Sequence, residues 1–358
     1  MKEALEQGHT SGDGNFSRLC SELIEKTFAI KKVLLTPSCT AALEMAAILL
    51  DLDNNSEIIC PSFTFVTTAN SFVLRGASPV FVDIRPDTLN IDESKIEERI
   101  SNATKAIWVV HYGGVSCDMD PILEIAARHK LIVIEDAAHG VNASYRGRHL
   151  GSIGSLGAFS FHETKNYICG EGGALLINEE SYIERAEIVR QKGTNRNQFY
   201  RGETDKYTWC DLGSSYVLSD ILAAFLYAQL QHLNEIQTTR DRIYNKYWEL
   251  LSPLQDRGDV KLPTIPSDCK SNHHLFYVIF DSEKTRNRVM DGLKQKSILS
   301  VFHYVPLHTS PAGLRYGLNK DSLPVTEDIN TRLLRLPFYN SLTDDEISFV
   351  TSSLRELM

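Results

Sequence analysis

Seven short apolar segments occupy the first 180 residues and constrain the fold more than any other feature. Most of them are continuously apolar rather than alternating, which is typical of strands buried on both faces of a largely parallel sheet. Helix-length segments such as TAALEMAAILLDL, TTANSFVLRG, ESKIEERI and DPILEIAARHK separate them. The pattern predicts an α/β fold with a seven-stranded sheet. The seven segments are KKVLLTP, EIICP, PVFVDI, KAIWVVHYG, LIVIEDAA, LGAFSFH and GGALLIN.

The last two of these segments have a different spacing from the others. Only the short stretch 163–171 lies between LGAFSFH and GGALLIN, which is too little chain for a crossover helix. We therefore expect this pair to be antiparallel, joined by a glycine-bearing turn that carries Lys165.

The second half of the chain has a different character. From about Ser219, the segment DILAAFLYAQLQHLNEIQTTRDRIYNKYWELL predicts one long amphipathic helix, followed by a proline-containing stretch at 253–266. Short apolar segments, a helix around RVMDGLKQK and a closing helix DDEISFVTSSLREL complete it. We predict a large α/β domain over residues 1–235 and a smaller α+β domain over residues 236–358.

Composition excludes several classes of partner. The formal net charge of −9 argues against a nucleic-acid or anionic-membrane surface, because such partners require a basic field. No apolar run approaches a membrane span and the N-terminus lacks an apolar signal core, so we expect a cytoplasmic protein. The 7 cysteines form no CxxC pair, which indicates reduced thiols and no metal site.

Candidate ligand-binding groups follow several predicted strands at their carboxyl ends, where open α/β sheets bind ligands. Cys39 and Thr40 open an Ala-rich helix whose free N–H groups suit a phosphate, although an ordinary helix cap explains the same residues. In EDAAH, alternation allows only one of Glu135 and Asp136 to face a ligand. Ser160 ends the sixth strand.

Lys165 follows that strand, and an exposed turn position is the ordinary explanation for a lysine there. The combination with a carboxylate and an anion site favours a different explanation. Pyridoxal phosphate (PLP) requires a lysine for its Schiff base, a carboxylate for its pyridine nitrogen and an anion site for its phosphate. We therefore predict a PLP site, without distinguishing a transaminase from a decarboxylase or racemase at this point.

Five motifs together resemble the sugar-nucleotide transaminases of the DegT/DnrJ/EryC1/StrS family. The resemblance runs from about Gly12 to the C-terminus and implies a fold-type I PLP-dependent transferase. By motif position it implies that Lys165 forms the Schiff base and that Asp136 contacts the pyridine nitrogen. The motifs are SFHETKN, EDAAHG, LTPSCTAALEMAA, CPSFTFVTTANSFVLRGASPVFVDIRPDTLNID and KGTNRNQFYRGETDKYTWCDLGSSY.

The same resemblance implies further cofactor contacts. Ser160 and the backbone of Cys39 and Thr40 hold the phosphate, Phe65 stacks on the cofactor ring, and His139 contacts the phenolic oxygen. A residue from a partner subunit also reaches the phosphate in many relatives, and GSSY in this chain offers Ser214 or Ser215 for that role, of which we favour Ser215.

A nucleotide sugar brings a diphosphate, and an acidic protein must bind it with local cations. The loop QKGTNRNQFYRGETDK offers four, with a solvated loop face as the alternative. VFHYVPLH offers His303, Tyr304 and His308 near the expected sugar, with structural roles as the alternative. The four cations are Lys192, Arg196, Arg201 and Lys206.

The resemblance implies transfer of an amino group from glutamate to C4 of a dTDP-linked keto sugar, dTDP-4-keto-6-deoxyglucose. It also implies a homodimer with shared active sites, in which the loop from Lys192 to Tyr216 reaches the partner. A transaminase for a UDP-linked 4-keto sugar or for a 3-keto sugar remains an alternative, as does a non-catalytic nucleotide-sugar binding protein. A dehydratase relative with histidine in place of the lysine is disfavoured by Lys165.

Overall fold

The computed structural model describes residues 1–318 and 321–358, and a seven-stranded sheet lies at its centre. The strand order is β1-β9-β8-β5-β4-β2-β3. The β8–β9 pair is antiparallel as predicted, β1 also runs antiparallel to β9, and the remaining pairs are parallel. The strands of the first half are β1 Lys32–Thr36, β2 Glu57–Pro61, β3 Ser78–Val82, β4 Thr104–Val110, β5 Ile132–Asp136, β6 Ser144–Tyr145, β7 Arg148–His149, β8 Leu156–Ser160 and β9 Gly173–Ile177.

The central strands are apolar throughout because both faces of the sheet are covered. In β1, Val33 and Leu35 belong to one apolar cluster while Leu34 belongs to another on the opposite face. In β2, Ile59 and Ile58 divide in the same way. Successive strand side chains point to opposite faces, so a strand between two helical layers needs an apolar residue at every position. The predicted seven-stranded α/β fold is confirmed.

Helices cover both faces of this sheet. The segment ESKIEERI, predicted as a helix, instead forms two 3₁₀ turns at Glu93–Lys95 and Glu97–Arg99. Of its eight residues only Ile96 is buried, and Ile100 packs against the core in part, which is too little apolar contact to hold a short α-helix. The helices of the first half are α1 Lys2–Glu6, α2 Asn15–Phe28, α3 Cys39–Leu49, α4 Val66–Val73, α5 Met119–His129, α6 Ile183–Arg190, α7 Arg196–Tyr200 and α8 Asp220–Gln231.

The long helix predicted after Ser219 is interrupted. It ends as α8 at Gln231, and α9 spans Leu233–Asp256. His232 between them has φ −105° and ψ 24°, outside the α-helical range, so the direction of the chain changes there. Ile236 still packs against the large core, whereas Ile243 belongs to the core of the C-terminal region.

The C-terminal region is smaller and contains a three-stranded antiparallel sheet of order β10-β12-β13. One of its short strands, β11, pairs instead with β6 of the first half. The remaining elements are β10 Val260–Lys261, β11 Cys269–Lys270, β12 Tyr277–Phe280, α10 Glu283–Gln295, α11 Pro311–Tyr316, α12 Pro324–Arg332, β13 Leu333–Arg335 and α13 Asp344–Leu357.

The two regions meet over an apolar cluster beside the carboxyl ends of the large sheet. Phe63 and Tyr112 of the first half pack there with Leu275, Tyr277 and Leu333 of the C-terminal region. The segment SILSVFHYVP, which contributes His303 and Tyr304, forms no strand beyond a single bridge of Val301 with Arg335. The apolar cluster between the two regions places loop residues of the C-terminal region opposite the carboxyl ends of the large sheet.

The loop over residues 190–216 is more ordered than the sequence indicates. It contains α7 and two antiparallel bridges, one joining Gln191 to Ser215 and the other Thr194 to Trp209. No helix over 1–318 or 321–358 is both long and apolar enough to cross a membrane. All seven cysteines are unpaired.

Candidate active site

A cavity of about 580 Å³ lies at the carboxyl ends of β5 and β8, between the large sheet and the C-terminal region. Lys165 and Asp136 both line it. The other predicted cofactor residues of the first half are also at its wall: Cys39, Thr40, Phe65, His139 and Ser160. Residues up to 126 positions apart in the chain therefore meet at one site, as the carboxyl-end argument predicts.

Lys165 lies in the turn between β8 and β9, where its backbone N–H donates to the His162 carbonyl at 2.9 Å. Burial lowers the pKa of its amine from the ordinary value, and the nearby Asp136 opposes that shift. An amine that loses its proton more readily is a better nucleophile near neutral pH. The alternative of a solvated turn lysine does not apply, since the side chain faces the cavity.

Asp136 and Glu135 are neighbours at the end of β5 but face opposite sides. The Asp136 carboxylate accepts from the Thr68 hydroxyl at 2.7 Å and from the Ala138 N–H at 3.1 Å. Burial raises its pKa, while these two hydrogen bonds lower it. A buried carboxylate with so little compensation inside the protein is suited to a cationic group on a ligand.

Glu135 has a structural environment. Its oxygens accept from the ring of His111 at 2.9 Å and from three backbone N–H groups of residues 151, 153 and 154. These four donors satisfy the carboxylate on the side of the sheet away from the cavity. Alternation along the strand therefore assigns the ligand-facing position to Asp136.

The N-terminus of α3 forms the anion-binding wall of the cavity. Ser38 caps the helix by accepting from the Ala41 N–H at 3.1 Å. In the described part of the chain, the N–H groups of Cys39 and Thr40 find no acceptor, so two donors and the positive end of the helix dipole remain for a ligand. Ser160 lines the same wall.

His139 presents a defined tautomer. Its Nδ1 accepts from the Gly113 backbone N–H at 3.2 Å, and because a backbone N–H can only donate, the ring proton is on Nε2. Burial lowers its pKa well below the ordinary value, and the cations Lys165 and Arg335 add to that shift. His139 is therefore a neutral Nε2–H donor, the form that a phenolic or anionic oxygen requires.

Three aromatic or basic residues close the cavity from the C-terminal side. The ring of His303 stacks on Tyr304 with centroids 3.6 Å apart. The Nδ1 of His303 lies 3.0 Å from the Tyr112 hydroxyl, and its Nε2 lies 3.1 Å from Nη1 of Arg335. Because a guanidinium only donates, Nε2 of His303 accepts, and burial lowers the pKa of this histidine to about 2.

Arg335 and His274 were missed by sequence reasoning, although both line the cavity. Arg335 is the last residue of β13 and His274 precedes β12, and neither lies in a motif that signals ligand binding. Their place at the cavity depends on how the C-terminal region packs against the large sheet. Spacing along the chain carries no signal for such a contact.

The remaining predicted residues lie elsewhere in this chain. Arg196 donates to the Tyr200 hydroxyl at 2.7 Å, and Arg201 forms ion pairs with Glu187 and Glu203. Ser215 lies on the bridge to Gln191 and does not line the cavity. None of these three residues lines the cavity of its own chain. A role for them in the site would require a partner subunit.

His308 was a further candidate for the sugar site, and it has a structural environment instead. Its Nδ1 lies 2.7 Å from the Ser62 hydroxyl and its Nε2 lies 3.1 Å from a Glu327 oxygen. The ring is buried and does not line the cavity.

The donor set fits PLP. Free N–H groups at a helix N-terminus suit its phosphate, the buried Asp136 suits a protonated pyridine nitrogen, and Lys165, which faces the cavity, suits its aldehyde carbon. Gly173 also supports the fit, because a Cβ there would lie 2.4 Å from the Cys39 nitrogen and fill the anion wall. No group of three or more metal-binding side chains occurs among the described residues.

The site and the seven-stranded, mostly parallel sheet assign this chain to the fold-type I PLP-dependent aminotransferases. The structure is similar to the crystal structure of the aminotransferase TlmJ from Streptoalloteichus hindustanus, with a TM-score of 0.91 and 28% sequence identity over 99% of this chain and 93% of that one. The DegT/DnrJ/EryC1/StrS aminotransferase family matches residues 1–355, and the chain belongs to that family.

Two relatives of known name match nearly the whole chain. The spore coat polysaccharide biosynthesis protein SpsC of Bacillus subtilis is 34% identical over 370 residues, covering 100% of this chain and 93% of the relative. GDP-perosamine synthase of Caulobacter vibrioides is 35% identical over 345 residues, covering 93% and 89%. The chain is a PLP-dependent sugar aminotransferase of this family.

Proposed function

We propose that this enzyme moves an amino group from glutamate to C4 of a nucleotide-linked 4-keto-6-deoxy sugar. Bound PLP supplies an electron sink for the electron pair that remains when a proton leaves the carbon next to the amine. The observation that carries the proposal is the convergence of Lys165, Asp136 and the α3 N-terminus on one cavity.

Each residue at the cavity would bind a different part of the cofactor, according to its charge and hydrogen-bonding groups. The α3 N-terminus and Ser160 would hold the phosphate, and Asp136 would hold the proton on the pyridine nitrogen. Nε2–H of His139 would donate to the phenolic oxygen, and Phe65 would cover one face of the ring. The Nζ atom of Lys165 would bind the cofactor and, once released, carry the proton to and from the substrate carbon, a role typically worth about 10² to 10⁴ in rate.

Arg335 supports an amino acid as the donor. Within the described residues its guanidinium has no carboxylate partner, and its Nε is buried without an acceptor. Over residues 1–318 and 321–358, the one hydrogen-bond partner of the guanidinium is the ring nitrogen of His303. A partly buried cation without a counter-charge favours an anionic ligand, and the guanidinium geometry matches a carboxylate. Glutamate brings such a group to the cavity that holds Lys165.

The proposed acceptor is dTDP-4-keto-6-deoxyglucose, and the product is dTDP-4-amino-4,6-dideoxygalactose. The motif order resembles dTDP-4-amino-4,6-dideoxygalactose transaminase, which serves enterobacterial common antigen synthesis. His303 and Tyr304 at the cavity wall are candidates for sugar contacts. Arg196 and Arg201 would meet the diphosphate from a partner subunit. A GDP-linked keto sugar is the second candidate, because one relative is named GDP-perosamine synthase.

Absorption spectroscopy followed by an acceptor panel tests the proposal. The PLP-loaded enzyme is expected to lose its visible absorption on addition of glutamate. The bleached enzyme is then mixed with dTDP-, UDP- and GDP-linked 4-keto sugars and with a 3-keto sugar nucleotide. Recovery of the visible band should be fastest with the dTDP-linked 4-keto sugar.

The outcomes separate the parts of the proposal. Failure of glutamate to bleach the enzyme while another amine does so would contradict the donor assignment. Faster recovery with a GDP- or UDP-linked ketone would replace the acceptor. Binding of nucleotide sugars without any bleaching by a panel of amino donors would identify a non-catalytic binding protein.

A further inference from the structure

The side chain next to Lys165 connects the reactive turn to the C-terminal region. Asn166 is buried, and its Nδ2 donates to the Asn272 carbonyl at 3.0 Å. Its Oδ1 lies 2.8 Å from Nδ1 of His274. Because a backbone carbonyl can only accept, Nδ2 must face Asn272 and Oδ1 must face the ring. Nδ1 of His274 therefore carries the proton and donates it to Asn166.

Asn272 and His274 both contact His139 as well. The side chain of Asn272 donates to the carbonyls of His139 and Val141, each at 2.7 Å. The ring of His274 stacks on the ring of His139 with centroids 4.0 Å apart and planes inclined by 26°. We call Asn166, Asn272, His274 and His139 the asparagine–histidine clamp. Two members come from the large sheet region and two from the segment before β12.

Burial lowers the pKa of both imidazoles and keeps them neutral, and the cations around the clamp add to this effect. The charged groups that act on His274 are Lys165, Arg240 and Arg335, all of them cations. Arg240 also holds the clamp segment by donating to the carbonyls of His273 at 3.0 Å and His274 at 2.6 Å. A proton added to either imidazole would meet these cations and the stacked partner ring in a buried setting, which is unfavourable.

Resting on the function proposed above, we propose that Asn166 is a positioning residue for transamination. It holds His274 as the Nδ1–H tautomer against the ring of His139, and this contact keeps the Nε2–H group of His139 in place for an oxygen in the cavity. Lys165 and His139 are positioned together, because Asn166 follows Lys165 in the chain and Asn272 anchors the His139 backbone. The tautomer of each ring follows from donors and acceptors that cannot exchange roles.

Nitrogen-15 NMR of the cofactor-free wild-type protein tests the geometry, and variants serve only to assign its signals. The two histidine signals are assigned by comparison with His139→Gln and His274→Gln. At pH 7.5 we expect His274 protonated on Nδ1 and His139 protonated on Nε2, both neutral. An imidazolium or the opposite tautomer at either position would overturn the proposal.

Asn166→Ala tests the consequence for the reaction. The variant removes both hydrogen bonds of the amide, so His274 loses the acceptor that fixes its ring. We expect kcat to fall about tenfold or more with donor KM changed by less than about threefold, as misplacement of a reacting group predicts. The pH midpoint of the visible absorption of the loaded enzyme should rise by about one unit, because a weaker hydrogen bond from His139 destabilises the phenolate form.

Asn142→Gly is the matched control. Asn142 also anchors the reactive turn, by donating to the Tyr167 hydroxyl at 3.1 Å, and its φ of 68° is one that glycine adopts without strain. Among the described residues, its side chain has no hydrogen bond to His139 or His274. We expect its pH midpoint and kcat to stay near wild type even if its melting temperature falls as far as that of Asn166→Ala.

The results distinguish this inference from the function on which it rests. If Lys165→Ala retains the visible band of the lysine-bound cofactor, the assigned lysine is wrong and the proposed function fails. If Lys165→Ala loses the band but Asn166→Ala keeps the wild-type midpoint and a kcat within about threefold, Asn166 is a structural anchor alone and only this inference fails.

Discussion

Two adjacent carboxylates at the end of β5 show how environment divides roles between similar side chains. Glu135 has four donors in the fold, whereas Asp136 has two and faces the cavity. A carboxylate whose hydrogen-bonding capacity is met within the fold stabilises the folded protein. One that the fold leaves partly unsatisfied is available to a ligand.

Replacement of these two residues should therefore separate activity from stability. Asp136→Asn is expected to keep the fold and lower turnover by at least about 10²-fold, because an amide cannot hold the pyridinium proton by charge. Glu135→Gln should instead lower the free energy of unfolding by about 2 kcal/mol or more, since an amide NH₂ replaces an acceptor among buried donors. Kinetics and urea unfolding of both variants measure this. A greater loss of activity in Glu135→Gln would reverse the assignment.

Lys165→Ala should abolish turnover and the visible band of the lysine-bound cofactor. The phosphate wall remains intact in this variant, so it is expected to retain PLP without a covalent bond. Borohydride reduction followed by mass spectrometry checks the linkage, and equilibrium dialysis checks retention. Turnover near the wild-type rate would show that another group forms the linkage.

The pH dependence of cofactor capture follows from the burial of Lys165. Burial lowers the pKa of its amine below the ordinary 10.5, while the charge of Asp136 raises it. The neutral amine is the reactive form, so the rate of capture by cofactor-free protein should rise with pH and level off below pH 10.5. Asp136→Asn removes the opposing charge and should move this inflection to lower pH. Stopped-flow absorbance measures it, and an upward shift would contradict the argument.

Among the secondary-structure elements, the contact of α3 with β9 determines the anion wall. Gly173 begins β9 and pairs with Thr36 at the end of β1, which places its Cα against the start of α3. A Cβ at this position would lie 2.4 Å from the carbonyl carbon of Ser38 as well as from the Cys39 nitrogen. The obstacles are backbone atoms, which cannot move aside as a flexible side chain can.

Gly173→Ala should consequently weaken PLP binding by about tenfold or more and destabilise the fold by about 1 to 3 kcal/mol through overpacking. Gly170→Ala in the same turn is the control, because a Cβ there meets nothing within 4 Å and adds only the strain of φ 90°. Fluorescence titration with PLP and thermal unfolding compare the two. Equal loss of PLP affinity in both variants would argue against a specific role of Gly173.

At the level of assembly, the segment from Lys192 to Tyr216 exposes large aromatic side chains that this chain does not cover. Trp209 is 79% exposed and Tyr200 is 67% exposed. Exposed aromatic clusters of this kind are enriched at protein interfaces. Within the described residues, Arg196 forms no ion pair with a carboxylate of its own chain. These observations favour the homodimer that we propose, in which the segment would reach the partner's cavity.

Mixing two inactive variants tests the shared site. If Lys165 and Arg196 come from different chains, a mixed dimer of Lys165→Ala with Arg196→Ala has one doubly altered site and one intact site. Random exchange makes half of the dimers mixed, so activity should return to about a quarter of wild type. With subunit exchange shown by differently tagged chains and Arg196→Ala inactive alone, no recovery would indicate sites built within single chains.

The sheet, the β8–β9 hairpin and the meeting of Lys165 and Asp136 at one cavity could be predicted from the sequence. Buried strands require continuous apolar runs, and the short stretch between β8 and β9 excludes a crossover helix, so both features are local. Parallel strands also share a carboxyl edge, so residues that end different strands are brought together by topology alone. Two predictions were wrong: a helix over ESKIEERI, and one continuous helix through His232. Packing, rather than sequence pattern, decides whether a marginal helix forms.

The partners of these residues were decided by the tertiary structure. Asn166 meets Asn272 and His274, and His303 meets Arg335 and Tyr112, across separations of 32 to 191 residues. No period or motif marks such pairs. The contacts of Asn166 and of Tyr112 exist only once the C-terminal region is packed against the large sheet, and the pair of His303 with Arg335 depends on the fold of the C-terminal region itself. The buried setting formed by that packing also determines which imidazole nitrogens carry protons. In the part of the chain that the structure describes, it leaves the Arg335 guanidinium without a carboxylate partner, since both features depend on three-dimensional neighbours and on the exclusion of water.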